Sequence, residues 1–151
     1  MAEIGLDEKQ LRILELLKGN AKLTTHQISK KTAIPITTVH NRIKKLEKEG
    51  IIKGYTVVLD YAKLGRSMRA FVLATVTYTL PSGEKISQED AAKKIRKIAG
   101  VEGVCIVTGG TDIIIEVRVK DVEELNDFVV RKLRNVEGID KTQTMIVLSS
   151  F

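Results

Sequence analysis

Pro35-Ile36-Thr37-Thr38-Val39-His40-Asn41-Arg42-Ile43-Lys44-Lys45-Leu46-Glu47-Lys48-Glu49-Gly50 sets its apolar residues Val39, Ile43 and Leu46 at the 4-and-3 spacing of one helical face. Proline presets the first turn, where its missing N–H costs nothing, and Gly50 ends the run. At about 100° per residue, turning the apolar stripe inward leaves Thr37, Asn41, Lys44, Lys45 and Lys48 outward, with Thr38 and His40 on the flanks. The outward face therefore carries short hydrogen-bonding side chains first and lysines afterwards. That order suits a helix whose start reaches base edges in a major groove while its lysines meet phosphates. It also describes the solvated face of an ordinary three-helix bundle.

Two shorter helical patterns precede this one. Asp7 as N-cap, with Gln10 three residues on, opens the first, whose apolar residues are Leu6, Ile13, Leu14 and Leu17 before Gly19-Asn20. Thr24 and Gln27 form the same box for a second helix that runs to about Thr32, anchored by Leu23 and Ile28. Helices joined by turns this short must pack on one another, which predicts a three-helix domain over residues 1–53. Charge follows the same division. Residues 1–53 hold 11 Lys+Arg against 6 Asp+Glu and residues 54–151 hold 14 against 13, so most of the net +6 lies in the first third. A basic unit joined to a nearly neutral one suggests contact with a polyanion, the alternative being a lysine-rich surface kept for solubility. Charge, three-helix spacing and the polar face together favour nucleic acid.

From Gly54 the period changes from helical to strand-like. Tyr55 to Asp60 is short and β-branched, and Ala62 to Gly65 turns the chain, so residues 54–66 read as a hinge strand and linker. Residues 67–151 then read strand (about 68–78), a loop with Pro81-Ser82-Gly83, helix (about 88–99), strand (about 102–108), the Gly109-Gly110 turn, strand (about 112–120), helix (about 122–135) and strand (about 141–149). Two βαβ-like halves of this kind predict a ferredoxin-like βαββαβ domain, a four-stranded antiparallel sheet with both helices on one face, and an α+β chain as a whole. Ile113, Ile115, Val117 and Val119 supply the face for those helices, yet the first strand offers Phe71 and Leu73 on one side and Val72, Ala74, Val76 and Tyr78 on the other. A second copy of the chain is the simplest cover for the extra apolar face.

Several function classes fall away. No stretch approaches the roughly 20 uninterrupted apolar residues of a spanning helix, and Met1 to Leu6 lack the basic-then-apolar run of a signal peptide, which predicts a cytoplasmic protein with no membrane contact. One cysteine and two histidines make no metal-ligand spacing, and Cys105, within Val104-Cys105-Ile106-Val107, reads as a buried small hydrophobe. No Walker loop, dinucleotide fingerprint, Gly-x-Ser-x-Gly elbow or His-Glu-x-x-His is present, so neither catalysis nor a cofactor is expected. Gly109-Gly110 reads first as a hairpin turn and Asp112 as a turn residue.

Residues 6–54, from Leu6-Asp7 through Thr38-Val39-His40-Asn41-Arg42-Ile43-Lys44-Lys45-Leu46-Glu47 to Gly50-Ile51-Ile52, resemble the helix-turn-helix of the Lrp/AsnC (feast/famine) family of prokaryotic transcriptional regulators. The hinge Tyr55 to Asp60, Leu64-Gly65, the turn Thr108-Gly109-Gly110-Thr111-Asp112 and the end Thr142-Gln143-Thr144-Met145-Ile146-Val147-Leu148 extend the resemblance over nearly the whole chain. It implies a winged-type domain on double-stranded DNA, a domain that senses an amino-acid effector, dimers built sheet to sheet, and stacks of dimers up to octamers. On that reading Thr37, Thr38 and Asn41 contact bases, with His40 at the edge, while Arg42, Lys44, Lys45 and Lys48 hold phosphates. The resemblance likewise implies an effector site of Gly109, Gly110, Asp112, Thr142 and Thr144, with Asp112 and backbone amides taking the ammonium and carboxylate of the ligand. Two departures stand out: Pro35 occupies the place of a polar capping residue, and the connection at residues 79–88 is longer than usual. The rival readings are a DNA-free metabolite-sensing subunit and an RNA-binding ferredoxin-like protein. The second is disfavoured because Gly103 to Ile106 and Ile113 to Val117 offer no aromatic for base stacking.

Overall fold

A computed structural model describes residues 5–79, 83 and 85–150. Met1 to Ile4 and most of the Pro81-Ser82-Gly83-Glu84 loop singled out above lie outside the described residues. Two compact units divide at Val58 and Leu59. The first holds α1 (Glu8–Gly19), α2 (Thr25–Thr32) and α3 (Ile36–Lys48). The second holds β1 (Met68–Val76), α4 (Gln88–Arg96), β2 (Val101–Ile106), β3 (Ile113–Val119), α5 (Val122–Asp127) and β4 (Ile139–Ile146).

In the first unit both capping boxes form: the Asp7 and Thr24 side chains accept from the backbone N–H groups of Gln10 and Gln27, whose side chains return the bond. Each box satisfies two N–H groups that a helix start leaves without a partner. Ile13, Leu17, Ile28, Ile34 and Val39 are buried together, with Leu23 and Ile43 packed against them, so the three helices share one small core. Ala33 closes α2 at φ 57°, a left-handed position that costs a residue with a Cβ roughly 1 kcal/mol. That tight turn sets α3 across the end of α2. Beyond α3 the strand expected over Tyr55 to Asp60 has no pairing partner among the described residues, and Tyr55, Val57, Val58 and Leu59 are exposed.

The second unit is an antiparallel sheet in the order β2-β3-β1-β4, the α+β arrangement read from the sequence. One face buries Ala70, Val72, Ala74 and Val76 of β1 and Ile113, Ile115, Val117 and Val119 of β3, which pack with Ala91 and Ile95 of α4 and with Leu125, Phe128 and Leu133. The other face carries the cross-strand rows Cys105, Ile114, Leu73, Gln143 and Gly103, Glu116, Phe71, Met145. Cys105 is exposed on this open face of an edge strand and not buried as expected, because its neighbours Val104 and Ile106 take the opposite side. Tyr78 departs too: β1 ends at Val76, two residues early, and Tyr78 is exposed with its hydroxyl engaged elsewhere.

A single regular helix was expected over residues 122–135, but α5 gives way after Asp127 to a π-helical turn over Phe128–Leu133. The reason lies in the spacing of two buried residues. In a continuing α-helix Phe128 and Leu133 would project about 140° apart, whereas the wider turn, closed by Arg134 N–H to the Val129 carbonyl at 3.2 Å, lets both face the sheet.

Candidate nucleic-acid interface and effector site

The first turn of α3 has no side-chain cap, since Pro35 supplies none. Along the helix Thr37, His40, Asn41, Lys44, Lys45 and Lys48 are exposed and Thr38 is half-buried. Six of the eight residues assigned to DNA are thus exposed, with half-buried Thr38 at their flank, and along the helix small polar groups come before lysines. Lys45 lies 3.7 Å from Glu49 one turn on, a solvent-screened pair.

Arg42 is the exception. It is half-buried, and its Nη1 is bound to the Asp7 Oδ2 at the start of α1. The Asp7 Oδ1 accepts from the Gln10 N–H at 2.9 Å. That backbone bond does most to hold the Asp7 carboxyl below its ordinary range; desolvation opposes it, and Arg42 lowers it further. The helical wheel puts Arg42 on the flank of α3, but the arrival of the Asp7 carboxylate at that flank is a tertiary fact that the spacing within α3 does not contain.

The residues assigned to an effector gather at one end of the sheet. Ala74 of β1 pairs with Ile113 on one side and Thr142 on the other, so Asp112 and Thr142 flank the same point, with Thr144 opposite Val72. Gly109 and Gly110 form the exposed loop between β2 and β3, Gly109 at φ 120°, where a side chain is strained. The Val107 N–H to Asp112 carbonyl bond, 2.9 Å, closes the loop.

The Asp112 carboxylate is already occupied by its own chain. Its Oδ2 accepts from the Val76 N–H at 2.8 Å, and its Oδ1 accepts from the Tyr78 hydroxyl at 2.8 Å and the Gln88 Nε2 at 2.9 Å. The Val76 N–H is available because β1 shifts register against β4 between Ala74 and Val76. These three donors, Val76 foremost, lower the Asp112 carboxyl, and the hydrogen bond that the Tyr78 hydroxyl donates to Asp112 raises that hydroxyl. Asp112 is thus a brace that ties the bulge in β1 to the start of β3 and to α4. Sequence reasoning missed Tyr78 and Gln88, which are 34 and 24 residues away and form no local motif with Asp112.

Among the described residues, no group of three or more His, Cys, Asp or Glu side chains could hold a metal, and no helix is long and apolar enough to cross a membrane. Comparison with known proteins accounts for both units. Residues 6–53 match the winged helix-turn-helix DNA-binding model, and residues 70–151 match the Lrp/AsnC ligand binding domain. An HTH-type transcriptional regulator of Pyrococcus furiosus is 44% identical over 146 residues, 97% of this chain and 94% of the relative. The HTH-type transcriptional regulator FL11 of Pyrococcus horikoshii is 35% identical over 147 residues, 97% of this chain and 92% of the relative. Among solved structures, a Neisseria meningitidis transcriptional regulator in complex with L-Met superposes with a TM-score of 0.86 at 26% identity, over 96% of this chain and 91% of that one. The LrpC protein of B. subtilis gives 0.83 at 25% identity, over 98% of both chains. These relatives are transcriptional regulators and not enzymes, and this chain belongs to the Lrp/AsnC family as a DNA-binding transcriptional regulator with a ligand-binding domain.

Proposed function

We propose that this regulator reads DNA with the exposed side of α3 and that a free amino acid tunes its affinity. Thr37, Thr38 and Asn41 contact bases, with His40 at the edge, and Lys44, Lys45 and Lys48 hold phosphates. The observation that carries this reading is the order of exposed groups along α3, polar and then basic, in a unit that holds most of the net charge of the chain. Selection of bound duplexes from a random pool, with and without a panel of amino acids, tests both halves. Enrichment of one sequence class that shifts with one amino acid is the expected result, and a DNA-free sensor would enrich nothing.

The effector binds at the sheet end that holds Gly109, Gly110, Asp112, Thr142 and Thr144. In support, the family model for these residues is a ligand-binding domain and one structural neighbour was solved with L-Met. A carboxylate accepts about four hydrogen bonds, and Asp112 has three, which leaves one site for an ammonium group. Its two tasks separate by substitution. Asp112→Asn keeps an acceptor for the Val76 N–H but removes the charge, so it is expected to fold and to lose amino-acid binding in calorimetry, whereas Asp112→Ala loses stability as well. Retained ligand affinity in Asp112→Asn would leave Asp112 a brace only. Because the folded state lowers the carboxyl of Asp112, its contribution to stability is present above the ordinary carboxylate value of 3.8 and is lost as pH falls below it.

The open face of the sheet is where a second copy packs, and dimers stack further through the effector ends. Half-buried Phe71, Leu73 and Ile114 lie beside exposed Cys105 and Met145 there, an apolar patch on a sheet whose other side is already filled. Sedimentation at micromolar concentration is expected to give a dimer or larger, and a monodisperse monomer would remove this part of the proposal.

A further inference from the structure

Arg42 differs from every other basic residue of α3. The side chain is only 26% exposed, and it ends on a carboxylate that is itself held in place. Asp7 is the N-cap of α1: its Oδ1 accepts from the Gln10 N–H at 2.9 Å, its own N–H donates to the Gln10 Oε1 at 3.0 Å, and Gln10 is buried. The Oδ2 left over points to Arg42, 35 residues away in sequence. The start of α1, Asp7 and Arg42 therefore form a strut between two helices whose apolar sides already share a core.

Apolar contacts alone set the rotation of a helix about its axis loosely. A turn of about 20° keeps Val39 and Ile43 on the core side but moves side-chain tips, about 6 Å from the axis, by about 2 Å. A hydrogen bond to a base edge does not survive such a shift. A charged pair at the flank, anchored at its far end by a capping box, resists that rotation where apolar packing does not. Asn41 is the neighbour of Arg42 in the chain, so the setting of one is the setting of the other.

We infer that Asp7 is a positioning residue for DNA recognition: through Arg42 it fixes the rotation of α3, and Arg42 is thereby withdrawn from the set of phosphate contacts. This rests on the reading of α3 as the helix that meets DNA. In the competing arrangement Arg42 leaves Asp7 for a phosphate on binding, which strands the Asp7 carboxylate beside a polyanion.

The two arrangements predict opposite results for Asp7→Asn, which keeps a good N-cap and removes only the charge. The strut predicts that the ratio of specific to random-sequence affinity falls about twofold to fivefold, the scale of a partly exposed ion pair, with the salt slope unchanged. A competing phosphate contact predicts tighter binding to every sequence and an unchanged ratio. Arg42→Ala is expected to lower the same ratio at unchanged salt slope, Arg42→Lys to recover part of it, and the double variant Asp7→Asn/Arg42→Ala to be no worse than Arg42→Ala. Circular dichroism at the assay temperature keeps the comparison to folded protein. A salt slope that drops by roughly 0.9 in Arg42→Ala makes Arg42 a phosphate contact and overturns the inference. So does a ratio that Asp7→Asn leaves unmoved. Lys44→Ala/Lys45→Ala serves as the control: if its slope is unchanged from the parent as well, the reading of α3 as the DNA-facing helix loses its phosphate contacts, and the inference falls together with that reading.

Discussion

Gly138→Ala is expected to cost the second unit about 2 to 4 kcal/mol of stability, the sum of a left-handed backbone penalty and overpacking. Gly138 sits at φ 89° just before β4, and a Cβ there would lie 2.6 Å from the Ile86 Cγ2 and 3.3 Å from its Cβ. Ile86 has little freedom to yield: it packs on the core and its N–H donates to the Tyr78 carbonyl at 2.9 Å. The Gly138 carbonyl also accepts from the Thr77 N–H at 2.8 Å, so relief by backbone movement would pull on β1 beside its bulge. The consequence reaches the candidate effector site, because Gln88, two residues after Ile86, donates to Asp112. Chemical denaturation of Gly138→Ala checks the size of the loss. In a second variant that also carries Ile86→Ala, the 2.6 Å approach to Cγ2 is gone but the 3.3 Å approach to the retained Cβ, the strained φ and a lost apolar contact remain, so recovery should be partial. A loss under about 1 kcal/mol in the single variant would mean that Ile86 moves aside at little cost.

Where the sequence and the fold agree, a local rule was enough. The capping boxes at Asp7 and Thr24 name both partners within four residues, and the 4-and-3 stripe of α3 names its own buried side. The four strands follow from period-2 alternation, and the antiparallel sheet with both helices on one face from the handedness of βαβ crossovers. Departures occur where two distant segments settle the matter. The π-helical turn lets Phe128 and Leu133 both reach the core under the sheet, a demand that no window of residues 122–135 contains. Cys105 was read as buried from its apolar neighbours, but in an edge strand with one open face those neighbours decide only which side the thiol does not take.

The candidate sites follow the same division. Exposed polar and basic residues on α3 were legible because a helical wheel needs only the helix. The pairing of Arg42 with Asp7 was not, since two correctly identified helices leave their mutual rotation open. The sequence reads Asp112 as a turn residue, with an effector role only through the resemblance, and its partners Val76, Tyr78 and Gln88 come from β1, the segment after it and α4, brought together only by the sheet.

Replacing Lys44 and Lys45 together by alanine is expected to weaken binding to specific and random DNA alike, by roughly 10- to 50-fold at 0.15 M salt. Each lost phosphate contact removes about 0.9 from the slope of log affinity against log salt, and at 0.15 M that is worth about 0.7 log unit. Both side chains are exposed on the side of α3 that carries Asn41, and neither lies in the core, so the fold should be untouched. The single variants should differ. Lys45 lies 3.7 Å from Glu49, so Lys45→Ala also leaves an unneutralised carboxylate on the DNA-facing unit, whereas Lys44 has no acidic partner among the described residues. Lys45→Ala is therefore expected to be the weaker binder of the two, and adding Glu49→Gln should bring it level with Lys44→Ala. Filter binding across a salt series on one operator and one random duplex reads all of these quantities. Loss confined to the operator would make the lysines base contacts. A salt slope left unchanged would make them solvated surface, and the phosphate contacts would then have to be sought elsewhere in the basic unit, with Lys30 and Lys31 at the end of α2 the next exposed pair.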